Sequence, residues 1–157
     1  MEAYERYGRA LIRKAERMLR SKEDARDIVH ATFADMLERP EPSAAHEDLA
    51  YLYRAVTNRC LGFLRDERNR ARLLAAHDDA LVPVRTRLAE AALSMDLLVK
   101  LVAALDDGEA AVLAYRYLDD MTQDEIAALL GLSRKTIGKR LDAIREAAAR
   151  LAAELPS

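Results

Sequence analysis

Apolar residues recur along this chain at three- and four-residue steps. Tyr4, Tyr7, Leu11, Ala15 and Met18 fall on one stripe of a helix ending near Arg20. Ser21 followed by Asp24 resembles a capping signal, and Ala25, Val29, Phe33 and Met36 carry the same period to about Glu38, which predicts a second helix. The stretch RPEPSAAHED, Arg39 to Asp48, has prolines at 40 and 42 and reads as a loop, because proline forbids a continuous helix across it. Leu49, Leu52, Val56, Cys60 and Phe63 then mark a third helix that turns basic in RDERNRAR.

From Leu74 to about Ala92 the periodicity is poor around Pro83, and a linker with some transient helix is expected. Beyond it, Leu97, Leu101, Val102 and Leu105 suggest a short helix. Asp106 with Glu109 then supplies a capping box for a helix carrying Val112, Leu113 and Arg116. The pattern therefore predicts an all-α protein of two small domains. Residues 1–73 form a three-helix bundle, 74–92 a linker, and 93–157 a four-helix domain.

The last two helices have a more specific grammar. In TQDEIAALLGLSRKTIGKRL, Thr122 and Glu125 have the reciprocal capping spacing, while Ile126, Leu129 and Leu130 give a buried face. Ala127 is small enough for a second helix to cross closely. Gly131 suits the left-handed residue that ends a helix in a tight turn, and Ser133 caps the next helix. There Ile137, Leu141, Ile144, Ala148 and Leu151 line the inner side. Lys135, Lys139, Asp142 and Glu146 lie opposite, with Arg134 and Arg140 on the flanks. Such a helix-turn-helix places a basic first half in the major groove of DNA. The same two helices also occur in a plain helical hairpin with a solvated basic face.

Charge changes this picture only through its distribution. The formal net charge of the 157 residues is -2, yet from Ser133 to Arg150 Arg134, Lys135, Lys139, Arg140, Arg145 and Arg150 face only Asp142 and Glu146. Near the third helix's end, Arg59, Arg65, Arg68, Arg70 and Arg72 outnumber Asp66 and Glu67. DNA responds to the field within a Debye length of about 8–10 Å, so distant carboxylates hardly cancel either patch.

Other chemistry is thin. Cys60 is the single cysteine, and His30, His46 and His77 sit on separate segments, so neither a disulfide nor a metal site is expected. No phosphate-cradling glycine loop or nucleophile elbow occurs, and we expect no enzyme, no cofactor and no small-molecule substrate. The N-terminus lacks a signal peptide's apolar core and no apolar run is long enough to span a bilayer, which predicts a cytoplasmic protein without membrane insertion.

Both halves resemble the extracytoplasmic-function (ECF) group of bacterial RNA polymerase sigma factors. DARDIVHATFADML, Asp24 to Leu37, is similar to the family's acidic helix that docks on the clamp of the largest polymerase subunit, which implies core contacts at Asp24, Asp27, His30 and Ala31. AYLYRAVTNRCLGFLRDERNR, Ala50 to Arg70, is similar to the helix that melts and reads the promoter's -10 element, implying roles for Tyr51, Arg54, Asn58, Arg59, Arg65 and Arg68. Tyr53 can stack on an unpaired base or belong to the core. The loop Arg39–Asp48 falls where the family captures a flipped base. The C-terminal helix-turn-helix resembles the domain that reads the -35 element, implying contacts from Arg116, Ser133, Arg134, Lys135, Thr136, Lys139 and Arg140.

The family's short leading helix is absent or truncated here. Arg26, His30 and Ala31 replace the family's common Glu, Gln and Glu, and Gly138 stands where polar side chains are common, a position that close approach to DNA would explain. The resemblance implies an initiation factor whose partners are core polymerase, through clamp and flap, promoter DNA and an anti-sigma protein. Two tethered DNA contacts then act as one specific one, and the isolated chain is expected to bind duplex only in the range of about 10⁻⁴–10⁻⁶ M. The alternatives are a stand-alone helix-turn-helix regulator with an N-terminal dimerisation or sensing bundle, and an adaptor that binds an anti-sigma protein without DNA.

Overall fold

A computed structural model describes residues 2–39, 45–77 and 89–154; within the helices, the side chains of 45–48, 68, 71–77 and 89–94 lie outside the description. Seven α-helices and one π-helical turn make up the described chain, and no strand occurs among these residues. Helix α1 runs Glu2–Leu19, α2 Lys22–Leu37 and α3 Ala45–His77. The second half comprises α4 (Ala89–Ala104), α5 (Asp107–Leu113), the π-helical turn Ala114–Leu118, α6 (Gln123–Leu130) and α7 (Arg134–Glu154).

The expected start signals are in place. Ser21 Oγ accepts from the Asp24 amide at the head of α2. Asp106 with Glu109 and Thr122 with Glu125 form complete capping boxes, each side chain satisfying an amide that helix geometry leaves orphaned. Gly131 ends α6 at φ 65, and Ser133 Oγ accepts from the Thr136 amide to start α7. Two boundaries differ from expectation. Helix α3 starts at Ala45, so 45–48 are helical instead of loop, and it continues to His77 while α4 begins at Ala89. Both ends of the expected linker are thus helical, because Ala- and Leu-rich stretches continue a helix that polar periodicity no longer marks. The rest of that linker, 78–88, and the loop's 40–44 lie outside the described residues.

The periodic stripes form the interior. Leu11, Ala15, Met18, Ala25, Val29, Phe33, Leu52, Val56 and Cys60 are buried where α1, α2 and α3 meet. Tyr4 and Leu49, at the ends of their stripes, are exposed. In the second half Leu101, Val102, Val112, Leu113, Ile126, Ile137, Leu141 and Ile144 are buried among α4 to α7. The two sets join into one continuous core, since α3 packs on α4 and α5 and α1 meets the π-helical turn.

One group at that seam was not anticipated. Lys14 lies on the Leu11–Met18 stripe and is buried, with its Nζ 2.6 Å from Asp119 Oδ2. Arg17 reaches Asp119 Oδ1 at 2.8 Å from the solvent side. The ammonium also sits 4.4 Å from the Tyr53 ring centroid and 5.4 Å from that of Tyr115, and these two rings stack at 5.8 Å. Tyr53 is therefore half-buried and packed against the core, which favours the second of its two readings. The π-helical turn sets this geometry: the Asp119 amide donates to Ala114 O at 3.1 Å, and one extra residue in the turn re-aims the side chains that follow. Asp120, at φ 53, then takes the left-handed conformation and releases the chain toward α6.

Candidate nucleic-acid interface

Helix α7 presents its first two turns as designed by the cap. Arg134, Lys135 and Lys139 are exposed, and Ile137, Leu141 and Ile144 hold the opposite face in the core. Lys135 and Lys139 make no ion pair among the described residues. Arg134 lies 3.7 Å from Asp124, both well exposed, a contact worth little against a phosphate. Ser133 and Thr136 bond each other through their hydroxyls at 2.9 Å, which ties the cap to the first turn of α7.

Two further expected -35 residues, Arg116 and Arg140, also touch the chain's own scaffold. Arg116, in the π-helical turn, is exposed and donates to Met121 O at 3.4 Å, bracing the entry to α6. Arg140 folds back over α5, where a Cβ on Gly108 would lie 3.0 Å from its guanidinium carbon. Gly138 also has a local reason: a Cβ there would sit 3.2 Å from Gln123 Nε2, so its absence lets the start of α6 approach α7.

On α3 the spacing of Tyr51, Arg54, Asn58 and Arg65 puts them on one face of the helix. Arg54 Nη1 donates to Leu129 O at 2.9 Å. Arg65 pairs with Asp107 and also reaches the carbonyls of Val102 and Leu105, at 3.5 and 3.3 Å, where α4 ends. Asn58 is exposed beside them and, with Leu61, Gly62, Arg65 and Asp107, lines a cleft of about 280 Å³. Tyr51 is covered by Arg39, whose guanidinium lies 4.3 Å from the ring centroid. Arg59 is directed to the other side of the helix and pairs with Asp35 of α2. The side chain of Arg68 lies outside the described residues.

On α2, Asp27, His30 and Ala31 are exposed, and Asp24 is half-buried in the first turn. His30 Nε2 is 2.9 Å from the Tyr4 hydroxyl, which fixes the imidazole against α1. The exposed Leu37 ends this helix. No cluster of metal-ligating side chains occurs among the described residues, and no described helix is long and apolar enough to cross a membrane.

Sequence reasoning missed Lys14 and Asp119, which bind the two halves together. The signal for Lys14 was a cation at an i+3 position of an otherwise apolar stripe. Its partner, 105 residues away, left no local mark.

The comparisons with known proteins match these two units. Residues 3–70, from α1 through most of α3, match the family model for Sigma-70 region 2. Residues 95–152, from α4 through α7, match that for Sigma-70, region 4. A comparison with curated proteins yields no match. With the basic first half of α7 open, and regions 2 and 4 following one another over most of its length, the chain belongs to the sigma-70 family of RNA polymerase sigma factors, in the arrangement of the ECF group, and directs polymerase to promoters.

Proposed function

We propose that this sigma factor reads the -35 element chiefly with Lys135 and Lys139, supported by Arg134, Ser133 and Thr136 at the same helix end. The observation that carries the assignment is that these two lysines are exposed and unpaired among the described residues on the outer face of α7. Ammonium groups held that way lose little on meeting phosphates or guanine edges, because no internal partner has to be given up. Arg116 and Arg140 act as braces that fix α6 and α7 relative to α5.

For region 2, Tyr51, Arg54, Asn58 and Arg65 form the face that meets the -10 element, with Arg59 and Arg68 on its basic margin. Asp24, Asp27, His30 and Ala31 dock on the clamp of the largest subunit, and the flap receives region 4. Domain limits of 1–73 and 93–157, a cytoplasmic setting, control by an anti-sigma protein and the absence of bond chemistry complete the reading. Catalysis then belongs to the polymerase.

Co-purification with core polymerase followed by run-off transcription tests this directly. Lys135→Ala with Lys139→Ala should keep core binding and lower run-off transcript at least tenfold, as expected when two phosphate or base contacts worth about 1–3 kcal/mol each are removed. Retained transcription would move the DNA contact elsewhere, and failure to bind core would favour the stand-alone regulator.

A further inference from the structure

The outer face of α1 carries a row of cations apart from both α3 and α7. Arg6, Arg9, Arg13, Arg17 and Arg20 follow one another at steps of three and four residues, and all are exposed. At about 100° per residue they fall within roughly 80° of one another, opposite the Leu11–Ala15–Met18 stripe that the core buries. With a rise of about 1.5 Å per residue, the first four alone draw a straight row about 16 Å long. Arg9 and Arg13, in its middle, enter no ion pair or hydrogen bond through their side chains among the described residues. Arg6 lies over the Tyr7 ring, 5.6 Å from the centroid, and Arg17 keeps 48% of its side chain exposed while reaching Asp119. The carboxylates of the helix, Glu2, Glu5 and Glu16, stand at the head of the row and along one edge, and pair with neither Arg9 nor Arg13.

The chemistry of this face selects its partner. Only Glu2, Ala3 and Ala10 share it with the arginines, so it lacks the large apolar anchors on which a protein interface is centred. Guanidiniums form paired hydrogen bonds to phosphate oxygens, and a DNA duplex offers one negative charge per about 1.7 Å of its axis, so a straight row meets several phosphates at once. We propose that the outer face of α1 is a further nucleic-acid surface, which holds the phosphate backbone of duplex DNA without regard to sequence. It adds affinity and fixes position, while base contacts made elsewhere supply the sequence preference. The proposal does not depend on the assignments made for α3 and α7, whose residues lie on other helices.

The test uses the full chain and a fluorescein-labelled duplex of about 30 base pairs and mixed sequence, followed by anisotropy between 50 and 200 mM KCl. Arg9→Gln with Arg13→Gln should weaken binding about tenfold at 100 mM KCl. It should also flatten the slope of log affinity against log salt by about 1.8, because each lost phosphate contact removes about 0.9. A second duplex of unrelated sequence should lose the same factor. Arg9→Lys with Arg13→Lys keeps both charges and should retain the original slope. Circular dichroism should be unchanged in both variants, since neither side chain enters the core. Made together with Lys135→Ala and Lys139→Ala, the glutamine pair should cost the same factor again, which separates α1 from α7. Unchanged affinity and slope in the glutamine variant overturn the proposal, and a loss confined to one duplex overturns its independence of sequence. A glutamine variant that keeps DNA binding but no longer co-purifies with core polymerase overturns it too, and makes the row a protein-docking surface.

Discussion

At Cys60, burial between α1 and α3 keeps the sulfur out of water and pushes the thiol up to about 12. Thiolate is the reactive form, so at pH 8–9 the folded chain should hold roughly a thousandfold less of it than a free cysteine. Labelling with a maleimide or a disulfide reagent at that pH should be correspondingly slow, should accelerate as pH rises, and should become fast in denaturant. Rapid labelling of the folded chain at pH 8 would contradict the packing of this helix. Tyr115 responds to the same surroundings, its phenol pushed up to about 12 chiefly by burial. Thr32 and Thr57 show how a core tolerates hydroxyls: each donates to the carbonyl four residues earlier, Ile28 at 2.7 Å and Tyr53 at 2.9 Å. Their burial in α2 and α3 follows from the stripes, but nothing in the sequence distinguished Lys14 from a solvated lysine until its partner was known.

At the scale of single elements the helix-turn-helix depends on Gly131 more than on any one apolar side chain. Its φ of 65 is open to glycine, and no neighbouring atom lies within 4 Å of where a Cβ would go. Gly131→Ala therefore adds backbone strain without a clash, and should lower unfolding stability by about 1 kcal/mol, measured by urea titration. A larger loss would point to a packing role that the open space denies. This part of the fold was legible because every signal is local: cap, glycine and second cap lie within a dozen residues. Helix ends without such signals leave no local mark: the start at Ala45 differs from expectation, and the limits His77 and Ala89 fall inside the expected linker. Alanine and leucine favour a helix but give no mark of where it stops. Gly138 was legible as an anomaly, and its cause, the approach of Gln123, required the second helix to be in place.

For the whole molecule, the seam between the halves matters as much as either domain. The sequence disclosed two basic patches, and α7 kept its lysines open. On α3, Arg54 and Arg65 are shared with α4, α5 and α6, because which acceptors a guanidinium finds is decided by docking across 37 to 75 residues of chain. Lys14 and Asp119 are both removed from water, and desolvating each charge offsets their attraction, so replacing the pair with apolar side chains should strengthen the seam. Lys14→Met with Asp119→Leu is expected to stabilise the fold by about 1–4 kcal/mol, the range found when buried pairs give way to packed hydrocarbon. Calorimetry should show a raised melting temperature. A lowered melting temperature would mean that the pair contributes net stability.

The five residues of the π-helical turn, Ala114–Leu118, carry a consequence for how such a protein changes over generations. Loss of one residue there would restore ordinary helical winding and rotate Asp119 by about 100° away from Lys14. The capping box at Thr122 and the recognition helix behind it would survive intact. Promoter preference and the docking of the two halves are therefore separable traits, and a single codon's insertion or deletion suffices to alter one while leaving the other alone.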